Sequence, residues 1–413
     1  MASQTNWAGN VTFSPKQWLF PETIGELQSA IAGQRRIRIA GSRHSFNGIV
    51  DSADTIISTE HLNRIIEIDT ANGDVTVEGG ARYGDVATAL ESHGFALGNL
   101  ASLPHISIAG AVSTATHGSG VNNGNLATAV TAMQIVTADG SLATFSRASH
   151  PVEFDGMVVS LGALGAIATL TLKIEPTYLV CQHVFQNVPL EPTLENVDSV
   201  LGAAYSVSLF TTYGERTIDQ IWLKQRMDQG APVANLLGVE PASDKLHPLA
   251  GHDPACCTPQ QGIPGPWHER LPHFCMEFTP SSGDELQSEF FIPREHTATA
   301  YRALMALRAE IQPLLYVSEI RTVRADSLWL SPAYGRDVTA FHFTWRQKSS
   351  KVLALLEKIE ALLLPLGAQP HWGKISIHRP TGYVRMSDFL SLRQSFDLGG
   401  KFVNPYLERV LGI

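Results

Sequence analysis

Four polar side chains at a spacing of two carry the first chemical signal in this chain. Glu319 and Arg321 lie two apart in an alternating run over residues 315–324, and His342 and Thr344 do so in a second run over 338–346. Successive side chains of a strand point to opposite faces, so each pair shares a face. A carboxylate that accepts, a guanidinium that donates in a fork, an imidazole and a hydroxyl could together bind a row of hydroxyl groups. A solvated outer face of a sheet would use the same residue types, but the apolar residues at the alternate positions favour burial. Lys374, in His371-Trp372-Gly373-Lys374, adds an amine that acts as a base only if its pKa falls, as burial and a nearby arginine would cause. His342 needs no such shift, and the choice of base between the two stays open.

A second chemistry sits in Gly41-Ser42-Arg43-His44-Ser45-Phe46-Asn47. The loop leaves an apolar strand at residues 37–40 and offers backbone N–H groups, small hydroxyls and an arginine. Such a set can hold a diphosphate without a Rossmann helix. Its histidine would lie beside whatever the loop cradles. Far along the chain, residues 107–120 are nearly all small, with Ser107, Gly110, Thr114, Thr116, His117 and Gly118 among them. Small side chains let backbone approach a neighbouring element or a flat ligand closely. The two runs together point to one shared ligand.

Other chemistries are absent. There is no Gly-x-Gly-x-x-Gly after a strand, no Walker A motif and no Gly-x-Ser-x-Gly, which argues against a Rossmann domain, a P-loop and a nucleophile elbow. The fifteen histidines include no His-Glu-x-x-His pair, and His247, His252, His268 and His273 lack helical spacing, so no metal is expected. A net charge of −9 and a pI near 5.9 work against nucleic-acid binding. The polar start and the lack of any long apolar run predict a soluble, unexported protein with no membrane partner. Four scattered cysteines, Cys181, Cys256, Cys257 and Cys275, fit reduced thiols in a cytoplasm.

The elements that must position these residues fall into two textures, as 413 residues permit. Up to residue 176, short strands alternate with short helices. A hairpin is predicted across Asn72-Gly73, another across Asp139-Gly140, a helix at 85–92 ended by Gly94, and a long strand at 166–174 ended by Pro176. The domain boundary is placed there. Beyond it, residues 237–272 are rich in Pro, Gly and His and read as an irregular surface excursion. Amphipathic helices at 296–311 and 351–364 beside the two alternating strands predict an antiparallel sheet with helices on one face, an α+β fold.

The chain resembles a known family. Gly41-Ser42-Arg43-His44-Ser45 is similar to the Gly-x-Gly-His-Ser signature of the aldonolactone and alditol oxidases, vanillyl-alcohol-oxidase-type flavoproteins, in which that histidine bonds to the flavin 8α-methyl. Ala101-Ser102-Leu103-Pro104-His105-Ile106-Ser107-Ile108-Ala109-Gly110 and the following 114–120 resemble the segment that packs along the pyrophosphate and isoalloxazine, and the likeness runs from Asn6 to Leu407. The alditol (xylitol) oxidases are the nearest branch. Arg43 departs from the pattern, standing where the family has glycine.

The resemblance implies a para-cresol methylhydroxylase-type (PCMH-type) FAD-binding domain at 1–176, a cap domain at 177–370, and a segment at 371–413 that returns to the first. It implies FAD bonded covalently to His44 and held by Gly41, Ser42, Arg43, Ser45, Phe46, Ala101, Ser102, Ser107, Gly110, Thr114, Thr116, His117, Gly118, Ile167 and His371. It assigns polyol contacts to Ser102, Glu319, Arg321, Thr344 and Lys374, and places Lys374, His342 and Arg321 at the reacting alcohol. The implied reaction turns an alditol into an aldose and O2 into hydrogen peroxide, Ala101 leaving oxygen room near the flavin, with the protein a monomer. An aldonolactone oxidase or dehydrogenase is the alternative on the same fold, and a sugar-binding protein without a redox cofactor the alternative of another class.

Overall fold

The computed structural model describes residues 4–278 and 285–413; the first three residues of the polar start lie outside the described residues. Two groups of sheets divide the chain. In the first, Gln17–Leu19 and Ile37–Ala40 flank Thr55–Ser58 in a parallel sheet. The helix Ile24–Gly33 makes one crossover, its first turn capped by the Thr23 side chain, which accepts from the Glu26 N–H. An antiparallel sheet follows in the order Leu142–Ser146, Val130–Val136, Ala166–Lys173, Asp74–Glu78, Ile65–Asp69.

The hairpin at Asn72-Gly73 exists, but not with a two-residue turn. Asp69 pairs with Asp74, and the Asp69 carboxylate accepts from the N–H groups of Ala71 and Asn72. Only Gly73 takes a left-handed φ, of 68°. The aspartate side chain has replaced the mirror-image turn that Asn-Gly alone would favour. The strand expected to reach residue 174 stops at Lys173, and Glu175–Pro176 pair instead with Phe95–Ala96.

From Leu179 onward the strands among the described residues build one eight-stranded sheet, antiparallel at every pairing, in which Ser206–Thr211, Leu315–Val323, Val338–Arg346 and Glu285–Pro293 lie side by side. Leu209, Ile320, Phe341, Phe343 and Phe290 share one core with residues of the helices Thr297–Met305 and Ser349–Leu363. The alternate residues of the same strands face the other way, toward the first unit. The helix expected over 296–311 is broken: Arg308–Ile311 forms a separate turn after Thr297–Met305.

Residues 237–272 are irregular, as their composition requires, but they do not merely skirt the surface. Gly265–Pro266 adds to the sheet edge at Leu179 and Val180, and Cys257, Thr258, Trp267 and Leu271 are buried. The C-terminal segment crosses back. Trp372, Phe389, Leu407, Val410 and Leu411 belong to the core of the first unit, and the buried Arg38 guanidinium donates to the carbonyls of Ile49, Leu161 and Phe402. Among the described residues no helix is long and apolar enough to cross a membrane.

Candidate active site

The sheet register brings the alternating polar residues into one row. Glu319 faces His342 across the strand pair and Val317 faces Thr344. On the far side of that strand, Glu289 faces His342 and Gln287 faces Thr344. Glu319, Arg321 and His342 are only 6%, 7% and 8% exposed. This is a buried face, covered by the other unit, and not a solvated one.

The two small-residue runs meet there. The Ser42 N–H donates to Ser107 Oγ at 3.2 Å and the Ser107 N–H donates to Ser42 Oγ at 3.0 Å, a reciprocal clasp across 65 residues. It requires glycine at 41, since a Cβ there would stand 2.1 Å from Ser107 Oγ. Arg43 sits at φ 59°, a left-handed conformation glycine adopts without cost. It is held there by its own guanidinium, which donates to Gln4 Oε1, and by its carbonyl, which accepts from the Trp7 N–H. His44 stacks on Trp7 with ring centroids 5.0 Å apart. Burial above all, with help from the Lys374 charge, pushes the His44 pKa down to about 3, so its imidazole is neutral with a free lone pair.

One cavity, with about 1940 Å³ of empty space including its open mouth, is lined by both runs, by the polar sheet face and by Lys374. Gly41, Ser42, Arg43, His44, Ser45, Phe46, Ala101, Ser102, Ser107, Gly110, Thr114, Thr116, His117, Ile167 and His371 line it, as do Glu319, Arg321, His342 and Thr344. Gly118 does not. Its small size serves a neighbouring backbone: a Cβ there would lie 2.4 Å from the Leu100 carbonyl oxygen.

Residues 371–375 form the joint between the two units. The N–H groups of His371 and Ile375 donate to the carbonyls of Glu289 and Gln287, extending the sheet edge. On the other side the Phe46 N–H donates to the Gly373 carbonyl, and Asn47 Nδ2 donates to those of Trp372 and Lys374. The Lys374 amine is thereby carried over the Phe46 ring, 4.7 Å from its centroid, and donates to Gln287 Oε1.

That amide oxygen also faces His342 Nε2 at 3.1 Å, while the Gln287 amide nitrogen donates to Glu285. His342 Nε2 must therefore bear the proton and Nδ1 the lone pair. Burial takes the Lys374 pKa down to about 8, against the opposing pull of Glu289 and Glu285, and takes His342 down to about 3. Glu289 Oε1 accepts from Arg321 at 3.0 Å and lies 3.1 Å from His117 Nε2. Burial pushes the carboxyls of Glu289 and Glu319 up, yet His117 and Arg321 beside Glu289, and Arg321 and His273 beside Glu319, hold both well below the usual range. Arg321 also donates to Ser102 Oγ at 3.2 Å.

Sequence reasoning misses Gln287 and Glu289, although the period-two pattern of Glu285–Pro293 could have revealed them. It also treats His273 as an unremarkable loop histidine and passes over Lys224, which nothing local could flag. The loop further brings ligating atoms of His247, Cys256 and Cys257 within 4.8 Å of one another. The lone pair of His247 Nδ1 is taken, since it accepts from the Leu249 N–H at 3.0 Å.

Against known proteins, residues 15–146 match the FAD binding domain family and residues 282–410 the D-arabinono-1,4-lactone oxidase family. The chain is 44% identical to the alditol oxidase of Streptomyces sp., with 98% of each chain covered. It is 27% identical to the L-gulonolactone oxidase of Mus musculus, over 98% of this chain and 97% of that one. A crystal structure of cholesterol oxidase from B. sterolicum superposes with a TM-score of 0.79 at 14% identity, covering 99% of this chain and 96% of the other, a likeness of fold.

Proposed function

The chain belongs to the FAD-dependent alditol and aldonolactone oxidases, with their two-unit α+β fold of the para-cresol methylhydroxylase type, and from that membership we propose that it oxidises the terminal CH–OH of an alditol such as xylitol or sorbitol to the aldose. The observation that carries the proposal is one cavity lined both by the clasped loops around His44 and by the row Glu319, Arg321, His342 and Lys374. The cofactor's phosphates and ring would be held by the Ser42–Ser107 clasp, where added side-chain bulk has no room, and His44, kept neutral, is the residue suited to a covalent bond. When bound, the flavin supplies the hydride acceptor, with dioxygen taking the electrons onward to hydrogen peroxide.

The protein's own part is binding, orientation and proton transfer. Glu319 accepts from substrate hydroxyls, while Arg321, Ser102 and Thr344 fix the chain, a set that rejects deoxy analogues because its buried polar groups would be left unpaired. The hydroxyl proton of the reacting carbon passes to Lys374. Its pKa of about 8 lies near a working pH, whereas His342, at about 3, is a weak base. Ala101 keeps the cavity wall small where oxygen would approach. Four unpaired cysteines support a cytoplasmic setting, and a monomer is the expected form, to be checked by sedimentation.

The test is product stoichiometry. One peroxide per aldose from xylitol or sorbitol supports the proposal, and strict dependence on an artificial acceptor would remove the oxidase part. The lactone-oxidase match over residues 282–410 favours an aldonolactone as the second reading. A kcat/KM on L-gulono-1,4-lactone above that on every alditol would install it instead.

A further inference from the structure

Behind the substrate row lies a buried pair for which the reaction above assigns no role. Lys224, on the strand Thr217–Arg226, is 1% exposed. Its amine donates to the Leu271 carbonyl at 2.5 Å, the Pro272 carbonyl at 2.9 Å and His273 Nδ1 at 2.9 Å. Three N–H groups meet three acceptors, so this ammonium is fully satisfied without any carboxylate. Burial lowers the pKa of this amine to about 7, but the Glu319 carboxylate can only accept, so His273 Nε2 must donate to it and Nδ1 is left as the acceptor for Lys224. The ring proton must then sit on Nε2, which lies 2.7 Å from Glu319 Oε1.

The imidazole has little freedom to leave that line. Phe210 and Trp222 hold it edge-on, with centroids 5.5 and 5.1 Å away. Its backbone N–H donates to the Ser102 carbonyl at 3.1 Å, and its carbonyl accepts from the Thr258 N–H at 2.9 Å. Glu319 Oε1 is thus committed to His273, with Arg321 Nε a further 3.5 Å contact. Among the described residues no hydrogen bond falls on Glu319 Oε2, and the carboxylate lines the cavity.

We propose that Lys224 and His273 are positioning residues for substrate binding: they set the tautomer that locks the Glu319 rotamer, leaving Oε2 as the acceptor offered to the substrate's hydroxyls. The acceptors of Lys224 come from the end of the 237–272 excursion, whose His247, Pro248 and Leu249 also line the cavity. That segment is the scaffold of the substrate-binding Glu319 carboxylate as well as a wall of the pocket. The inference rests on the polyol-oxidase reading for its substrate, but its geometry is independent of which hydroxyl compound is turned over.

The experiment is a double-mutant cycle on the holoenzyme. His273→Leu removes the donor to Glu319 and should raise KM about tenfold with kcat within threefold, since orientation and not chemistry is lost. His273→Gln keeps a donor and an acceptor and should restore KM to within about threefold of the parent. Adding Glu319→Gln to His273→Leu should give a KM no worse than that of Glu319→Gln alone, because both act through one carboxylate. Additive effects, or a His273→Leu KM within twofold of the parent, overturn the proposal.

A readout without turnover guards against a merely structural effect. The ¹⁵N resonances of His273, identified by their loss in His273→Gln, should show the Nε2–H tautomer near pH 7 and shift toward mixed tautomers in Lys224→Met. An unchanged tautomer in Lys224→Met refutes the role of the lysine. A parent enzyme inactive on alditols and lactones alike would sink the functional reading, while the tautomer measurement would still decide this one.

Discussion

Raising the pH should switch the reaction on through Lys374. Burial brings its amine down to about 8, with Glu289 and Glu285 pulling up and Arg321 pushing further down. Only the unprotonated amine can take the substrate proton. With that pKa its unprotonated fraction is about 1% at pH 6 and about 90% at pH 9, so kcat/KM for xylitol should climb roughly 90-fold across that range and level off above it. His342 as the base predicts no rise, because a group with a pKa of about 3 is unprotonated throughout and gives a flat profile. The assay is initial peroxide release at subsaturating xylitol, with flavin absorbance confirming that cofactor content is constant. Lys374→Met should abolish the rising limb and lower kcat by about 10²–10⁴-fold with flavin still bound. A flat wild-type profile between pH 6 and 9, with Lys374→Met within threefold of the parent, would remove Lys374 from the proton transfer and pass the role to His342.

Three further outcomes are expected. In His44→Ala the yellow colour should separate from the denatured polypeptide, whereas in the parent it should stay; equal retention in both would place the covalent bond elsewhere. Gly41→Ala drives a Cβ to 2.1 Å from Ser107 Oγ, an overpacking of roughly 1–3 kcal/mol, and should lower flavin content severalfold, with partial recovery in Gly41→Ala/Ser107→Ala. Recovery no better than in the single variant would show that the clasp is not what excludes the methyl group. Arg43→Gly relieves a left-handed backbone that costs of order 1 kcal/mol, so its melting temperature should match or exceed the parent's despite the lost bond to Gln4. Arg43→Val should melt lower, and equal losses in the two variants would argue against strain at this position.

Much of the site was legible because its residues obey local rules. Period two alone places Glu319 with Arg321 and His342 with Thr344, since a pleated strand leaves side chains no other choice. The loop from Gly41 to Asn47 announces close approach through its small residues, and the family signature it resembles singles out His44. Gly118 shows the limit of such reading. A glycine says only that something comes near, and here the neighbour is the Leu100 backbone. At Asn72-Gly73 the hairpin stands where the pattern puts it, with Asp69 paired to Asp74, and only its turn differs, because the Asp69 side chain accepts from the N–H groups within it.

What the chain states by itself, then, is local: which faces are polar, which loops are tight, which half is strand-rich. Tertiary structure alone decided that Lys224 and His273, 49 residues apart, would meet at Glu319, and that residues 371–375 would stitch the flavin-type unit to the sheet and carry Lys374 into the row. The reason is physical. A pKa, a tautomer and a carboxylate rotamer depend on burial and on partners brought in from distant segments, and none of these exists until the two units have closed on each other.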